Sequence, residues 1–169
     1  MKAVGTKKKG RKKKARKAVT EIGWREFVAM PELGISRFRA KIDTGARTSA
    51  LHATNQRVFK KEGEKWIEFH VPVPGTPRTT RCSMPLAGVR RIKNTSGLAE
   101  ERYIVKTKLV LGGRRWPIEI SLADRENMGF DLILGRTAIR GRKLLVDPGR
   151  SYLVELRRPT DRKQVRQTH

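Results

Sequence analysis

Short runs of alternating apolar and polar residues, each ended by turn-forming residues, constrain this chain most. The segment IGWREFVAMPELGI alternates up to Pro31, turns over Glu32 to Gly34 and continues as RFRAKID. Alternation with a period of two residues is typical of strands that bury one face. We therefore predict a β-hairpin from these two runs.

The same pattern recurs along the chain. RVFKKEGEKWIEFHVPV predicts two strands around Glu62-Gly63-Glu64, and RYIVKTKLVL and RRWPIEISL flank Gly112-Gly113, which can adopt positive φ at both turn positions. FDLILGRTAIRG predicts an apolar strand that passes into one short helical turn, and KLLVDPGRSYLVEL predicts a last hairpin around Asp147-Pro148-Gly149. Between them, GTPRTTRCSMPLAGVRRIKNTSGLAEE is rich in turn formers and predicts an irregular, mobile or substrate-facing loop.

About eight short strands with almost no helical periodicity predict an all-β barrel or sandwich with at most one short helix. A chain of 169 residues is long enough for one core-bearing domain and too short for two large lobes. We predict this domain over residues 19–156. A basic disordered tail over residues 1–18 and a charged C-terminal tail over residues 157–169 would flank it.

Positive charge is concentrated at the N-terminus. The formal net charge is +24, and ten Lys and Arg residues without any acid precede Ala18, which leaves +14 on the remainder. Such a polar, self-repelling segment is expected to be disordered. Two interpretations stay open: a solvated tail that aids solubility, or a tether for RNA, the ribosome or another polyanion. No aromatic residue is interleaved, so base stacking is not expected there.

The sequence lacks the residues that several kinds of site and catalysis require. Cys82 is the single cysteine, which excludes an intrachain disulfide and a multi-thiolate metal site and fits a reducing, cytoplasmic location. No apolar run suits a signal peptide or a membrane span, so we expect no membrane partner. HExxH, CxxC, GxxxxGK[ST] and GxSxG are all absent, which argues against zinc catalysis, ATP hydrolysis and a serine nucleophile. We expect neither a metal nor a cofactor.

The segment AKIDTGARTSALHA offers the clearest chemistry. Peptide hydrolysis by carboxylates needs two aspartates that share one proton, one acting as a base on water and the other as an acid toward the substrate carbonyl. In Asp43-Thr44-Gly45, the glycine would let backbone amides approach the carboxylate, and the hydroxyl could lock the loop. Asp-x-Gly is also common in turns, so both interpretations stay open here. Nearby His52 could reach a carboxylate, although a lone histidine is more often structural.

A second motif favours the catalytic interpretation. LILGR, Leu132 to Arg136, lies about ninety residues later and, together with Ile42 to Ala46, resembles the retropepsin-like aspartic proteases. On its own, LILGR could equally be a core strand with a glycine turn. The resemblance implies a closed β-barrel, catalysis by Asp43, and an internal or interfacial ion pair for Arg136. It also implies supporting roles in the active-site loop for Thr44, Gly45, Ala46, Ile133, Leu134 and Gly135.

A longer resemblance runs from Ile22 to Leu153. It is carried by GWREFV, PELGI, AKIDTGARTSALHA, LVLGGRRWPIEISLADRENMGFDLILGRTAI and LLVDPGRSYLV. These strings are similar to the bacterial family labelled ATP-dependent zinc proteases, RimB-like proteins that accompany RimK-type glutamate ligases and are regarded as retropepsin-like. Zinc ligands and an ATP loop are missing from this sequence, and the lysine-rich N-terminal extension departs from the usual form of the family.

Only one Asp-Thr-Gly occurs, whereas an aspartic dyad needs two. The other aspartates lack that context: Asp124, Asp131, Asp147 and Asp161. We therefore expect a homodimer in which two Asp43 side chains face each other across a two-fold axis. The resemblance implies that Thr44 of each copy bonds across this axis. We also expect Asp147 in a hairpin turn and Asp124 beside an arginine.

Arg90, Arg91 and Lys93 cluster in the irregular segment, where a flap would lie. A cleft lined by such charge would attract acidic peptides, although these residues could also form a solvated face. The resemblance implies trimming of glutamate tails added to a ribosomal protein. The rival interpretation is a non-catalytic basic β-barrel that binds RNA or the ribosome, which the scarcity of aromatic residues, 6%, makes less favoured.

Overall fold

The computed structural model describes residues 18–94 and 96–155, and its regular secondary structure is almost entirely β-strand. Apart from Ala18, the two predicted tails lie outside the described residues, as does residue 156 of the predicted domain. The strands are β1 (Thr20–Gly23), β2 (Arg25–Met30), β3 (Ile35–Ile42), β4 (Ser49–His52), β5 (Thr54–Lys61), β6 (Glu64–Pro72), β7 (Thr79–Pro85), β8 (Gly88–Lys93), β9 (Ala99–Leu111), β10 (Arg114–Ala123), β11 (Leu132–Leu134) and β12 (Leu144–Asp147). One short helix, α1 (Arg136–Ile139), and a 3₁₀ turn at Pro31–Leu33 complete the described elements. The predicted all-β class with one short helix is confirmed. Neither helical segment of the described chain is long and apolar enough to cross a membrane.

Six strands form a closed ring of pairings. The hydrogen-bonded neighbours run β10, β4, β11, β3, β2 and β9, and the antiparallel β9–β10 pair returns to the first strand. Closure leaves no free sheet edge within the ring. β8 extends β9 outside it, and β5, β6 and β7 form a separate three-stranded sheet.

Three predicted hairpins are confirmed: β2–β3, β5–β6 and β9–β10. In the last of them, φ is 58° at Gly112 and 71° at Gly113, which is the conformation that a two-residue type I′ turn requires. The predicted short helical turn after LIL is also present as α1.

The prediction of an irregular loop after Val73 was wrong for most of its length. β7 pairs with β6, and β8 pairs with β9. These strands are stabilised by hydrogen bonds to neighbouring strands, and the local sequence pattern of the segment is too weak to predict them. β8 and β9 together form a hairpin in the region where a flap was expected.

The predicted last hairpin was also wrong. β12 pairs in parallel with β1, and residues 151–155 form no strand. They bind β2 instead, because Tyr152 N–H donates to Arg25 O and Leu153 N–H donates to Glu26 Oε1, 2.8 Å away. The turn itself was predicted correctly, since Asp147 Oδ1 accepts a 2.8 Å bond from Gly149 N–H.

One hydrophobic core is shared by the ring and the three-stranded sheet. Its largest fully buried side chains include Phe38, Phe69, Met30, Leu51, Ile67 and Leu109. Trp116 Nε1–H donates to Ala138 O at 2.8 Å and so fixes α1 against the ring. Cys82 is buried in the same core, and burial raises the pKa of its thiol, which keeps it protonated and unreactive.

Candidate active site

The Asp43 carboxylate is oriented by its own loop. The loop follows directly after β3, and Asp43 Oδ1 accepts hydrogen bonds from the backbone N–H groups of Gly45 at 3.1 Å and Ala46 at 3.2 Å. The other oxygen, Oδ2, lies 3.9 Å from Lys41 Nζ. Asp43 therefore sits in a turn that uses one carboxylate oxygen and leaves the second available for chemistry.

β11 and α1 hold this loop by backbone hydrogen bonds. Asp43 N–H donates to Leu134 O at 2.9 Å, Arg136 N–H donates to Ala46 O at 2.9 Å, and Thr137 N–H donates to Arg47 O at 3.1 Å. β11 also pairs with β3 on one side and with β4 on the other. The two motifs that the sequence places about ninety residues apart are thus in direct contact.

Gly135 lies where the loop and LILGR come closest. A Cβ built there would stand 2.6 Å from the carbonyl carbon of Thr48 and 2.7 Å from its oxygen, distances that no side chain tolerates. Its N–H donates to Ser49 Oγ at 3.1 Å, and Ser49 is fully buried. The glycine of LILGR is required by this close approach of two backbones.

Arg136 braces the exposed side of the loop. Its Nη1 donates to Thr44 O at 2.9 Å and to Gly45 O at 3.1 Å. Within the described chain its partners are therefore carbonyl oxygens, and the predicted internal ion pair is not seen. An ion pair with a second copy stays a prediction, as does the hydrogen bond of Thr44 across a two-fold axis.

His52 has a structural role. It is buried, and its Nδ1 accepts the backbone N–H of Arg125 at 2.8 Å. Because a backbone N–H can only donate, this Nδ1 carries no proton, and the 3.7 Å contact with Asp124 Oδ1 is not an ion pair. Asp124 accepts the N–H of Glu126 instead, so the predicted pairing of Asp124 with an arginine is not seen among the described residues.

Arg125 is a residue of this region that the sequence pattern does not single out. Its side chain is 93% buried, and Nε donates to Phe130 O at 3.2 Å. Burial is the main cause that lowers the pKa of its guanidinium, Arg102 lowers it further, and the carboxylates of Asp43 and Asp131 oppose that shift. Nothing in LADREN distinguishes Arg125 from a solvated arginine, because its burial depends on contacts with other segments.

The predicted substrate-binding cations lie on β8. Arg90, Arg91 and Lys93 are all exposed, and Arg90 Nη2 is 2.6 Å from Glu119 Oε2. Arg90 and Arg91 line a groove of about 590 Å³ that reaches the active-site loop at Arg47 and Thr48. The residues that line this groove include neither Asp43 nor Lys93.

The described part of the chain contains no group of three or more His, Cys, Asp or Glu side chains that could hold a metal ion.

Known proteins resemble the chain at three levels. A family model described as retropepsin-like aspartic endopeptidase RimB matches residues 21–156. Two probable α-L-glutamate ligases are similar: one from Shewanella pealeana, 41% identical over 133 residues, and one from Desulfotalea psychrophila, 43% identical over 129 residues. The matches cover 78% and 75% of this chain but only 29% and 28% of those proteins, so the chain spans less than a third of their length.

A crystal structure of a Legionella pneumophila protein of unknown function has a similar fold. It superposes with a TM-score of 0.69 at 26% sequence identity, over 80% of this chain and 98% of that one. The matched family model, the Asp43 loop and the LILGR segment beneath it agree: the chain belongs to the RimB-like family of retropepsin-like aspartic endopeptidases.

Proposed function

We propose that this protein is an aspartic peptidase that works as a homodimer, with one Asp43 from each subunit. The observation that carries the proposal is the asymmetry of the Asp43 carboxylate, whose Oδ1 is held by two backbone amides while Oδ2 accepts no hydrogen bond from the described residues. A loop fixed by backbone bonds can present this oxygen without reorganising during the reaction. A single chain supplies one such carboxylate, so a second copy completes the dyad.

In the proposed dimer the two Asp43 side chains share one proton. The ionised carboxylate removes a proton from a water molecule while the water oxygen attacks the peptide carbonyl, and the protonated carboxyl donates to the carbonyl oxygen. When the tetrahedral intermediate collapses, the C–N bond breaks and the leaving nitrogen takes up a proton. One water is consumed, and a carboxylic acid and an amine are formed. Arg136 and the backbone of β11 keep each loop in place throughout.

The proposed substrate is an acidic, glutamate-rich peptide. The probable α-L-glutamate ligases that resemble this chain are more than three times the length of the match, so in them a segment like this one shares a polypeptide with further sequence. A peptidase beside a ligase that adds glutamate is suited to removing what the ligase adds, including a glutamate tail on a ribosomal protein in the cytoplasm. Local charge fits this substrate, because Arg47 and Arg91 line the groove next to the loop.

The catalytic proposal is tested with Asp43→Asn and a poly-glutamate peptide. Loss of the acid–base group is expected to lower the cleavage rate by about 100- to 10,000-fold, the usual contribution of such groups. Asp147→Asn is the matched control, because that carboxylate only caps a turn. Equal rates for wild type and Asp43→Asn would overturn the proposal.

The dimer is tested by mixing the two proteins. We assume that each active site needs two Asp43 side chains and that the subunits exchange freely. An equal mixture of wild type and Asp43→Asn should then show about one quarter of the activity of a wild-type sample at the same total protein concentration, because only wild-type homodimers are active. A monomeric enzyme would retain about half. Sedimentation of both proteins, alone and mixed, checks that the variant still associates.

The groove contributes a separate test of acidic-substrate binding. Replacing Arg90 and Arg91 with Ala should slow the cleavage of acidic peptides at low salt, because the charge that attracts them is reduced. Unchanged turnover would show that these two residues do not attract the substrate, and it would leave the catalytic role proposed for Asp43 intact.

The lysine-rich N-terminal segment favours a second role, contact with RNA or the ribosome. Ten cations precede Ala18, and phosphate contacts by such residues make binding strongly salt-dependent. Deleting residues 1–17 should weaken polyanion binding and flatten its salt dependence without affecting peptide cleavage, whereas Asp43→Asn should do the reverse. A chain that binds RNA but cleaves no peptide would favour the non-catalytic barrel.

A further inference from the structure

Arg125 is a buried cation that forms no ion pair with a carboxylate of the described residues. Its exposed fraction is 7%, and none of the ion pairs among the described residues includes it. Its only side-chain hydrogen bond there joins Nε to Phe130 O. Buried charges in proteins are normally paired, so this arrangement needs an explanation.

The two terminal nitrogens of Arg125 must reach a surface. No fully buried side-chain nitrogen or oxygen in the described part of the chain lacks a hydrogen-bond partner, and these nitrogens donate to no described residue. Each of them therefore keeps some exposed area, although the residue as a whole is 7% exposed. The backbone is fixed as well, because Arg125 N–H is bonded to His52. The guanidinium is thus held with its donating edge free.

Arg125 is linked to the candidate active site through Phe130 and Trp24. Phe130, whose carbonyl accepts from Arg125, packs its ring edge-on against Trp24 at 5.9 Å. Trp24 O in turn accepts the N–H of Ile42, the residue before Asp43, at 2.8 Å. The negative charges of Asp43 and Asp131 both act to raise the pKa of the Arg125 guanidinium.

The charge of a second guanidinium opposes that of Arg125. Arg102 in β9 is largely buried and forms an ion pair with Glu100, and its charge still lowers the pKa of Arg125. A buried cation that is repelled in this way is stabilised by a nearby anion. The planar fork of an arginine matches a carboxylate with two parallel hydrogen bonds.

We propose that Arg125 binds the side-chain carboxylate of an acidic residue next to the scissile bond and so determines substrate specificity. This inference rests on the proposed function of Asp43. It assigns recognition to a buried site beside the catalytic carboxylate, separate from the exposed cations of β8. Glutamine in place of glutamate in the substrate would leave the guanidinium without its anion.

The test compares Arg125→Gln with wild type on two peptides that differ only by Glu→Gln at the residues flanking the cleaved bond. Wild type should prefer the glutamate peptide. Arg125→Gln should lower kcat/KM for that peptide by about 10- to 100-fold, the loss expected for a hydrogen-bonded ion pair, and change the glutamine peptide less than about twofold. Arg115→Gln, an exposed arginine of β10, is the matched control and should leave both values unchanged.

Two further measurements keep the inference falsifiable. Arg125→Lys keeps the charge but not the fork, so an intermediate preference is expected, and it serves where Arg125→Gln fails to fold. The affinity of both peptides for the Asp43→Asn variant and for the Asp43→Asn, Arg125→Gln double variant measures recognition of the carboxylate independently of cleavage. An equal loss for both peptides would mean that Arg125 is only structural and would overturn the inference. Cleavage that depends on Asp43 but ignores the Glu→Gln change would overturn this inference alone, whereas selective binding without cleavage would overturn only the catalytic proposal.

Discussion

The closed ring and the three-stranded sheet share one core but are stabilised by different interactions. Around Asp43, the ring relies on backbone hydrogen bonds and on close backbone approach at Gly135. The outer face of the three-stranded sheet relies on exposed side chains, with Arg57 and Arg81 pairing with Glu68. Buried, closely packed contacts contribute far more per residue than screened surface pairs. Adding or removing a single atom near the site should therefore lower stability, whereas the outer sheet should tolerate the replacement of whole side chains.

Gly135→Ala should produce the largest effect. The added methyl group would meet Thr48 backbone atoms that cannot move without breaking the bonds of the Asp43 loop. We expect a loss of about 3 kcal/mol or more in the free energy of unfolding, together with loss of peptide cleavage. Urea denaturation followed by circular dichroism measures the first quantity.

Gly88→Ala is the matched control for that change. Gly88 also lies in a strand, but a Cβ there would meet no atom within 4 Å. We expect this variant to stay within about 0.5 kcal/mol of wild type. Equal midpoints for the two alanine variants would show that the loop can shift, and the expected sensitivity of the ring to a single added methyl group would fail.

His52→Leu should have the next largest effect. The leucine leaves the buried N–H of Arg125 without an acceptor, which costs about 1 to 3 kcal/mol. His70→Leu compares the two regions directly, because His70 lies in β6 and the one side-chain hydrogen bond that it forms with the described residues joins Nδ1 to Thr79 Oγ1 at 3.3 Å. Thermal unfolding of both variants should show a clear fall for His52→Leu and little change for His70→Leu. The reverse order would contradict the structural role of His52.

Local patterns predicted the parts of the fold that depend on neighbouring residues. The hairpins at Gly34, Gly63 and Gly112-Gly113 follow from turn chemistry and alternation, and the Asp43 loop follows from its motif. What could not be predicted depends on partners far apart in sequence. The Glu26 carboxylate binds the N–H of Leu153, 127 residues away, which is why the end of the domain runs along β2 instead of returning as a hairpin.

The same reason explains why half of the candidate site was missed. Arg125 is buried because His52, 73 residues earlier, accepts its backbone N–H, and no local signal marks that pairing. Arg90, Arg91 and Lys93 were singled out by charge density alone, a signal that does not separate exposed strand residues from a buried site. The Asp43 loop and LILGR could be predicted, because each motif contains the residues that its local geometry requires.

The smallest effect is expected at Glu68 in the outer sheet. The hydrogen bond from Arg81, with the charges of Arg81 and Arg57, holds the pKa of Glu68 below its usual value of 4.5. A folded-state pKa below the unfolded one means that stabilisation is present above the unfolded pKa and is lost as pH falls through the folded pKa. Glu68→Gln should therefore lower Tm slightly at pH 7, and the gap should close as the pH falls through the lowered pKa of Glu68 and its carboxylate becomes protonated.

Glu64→Gln in the same strand is the control for that pH dependence, since Glu64 takes part in no ion pair of the described residues. Its Tm should follow wild type over the whole pH range. A Glu68→Gln gap that does not shrink as the pH falls would mean that Glu68 stabilises by packing instead of charge. A gap larger than that of His52→Leu would reverse the ranking, because an exposed, screened pair would then outweigh a buried hydrogen bond.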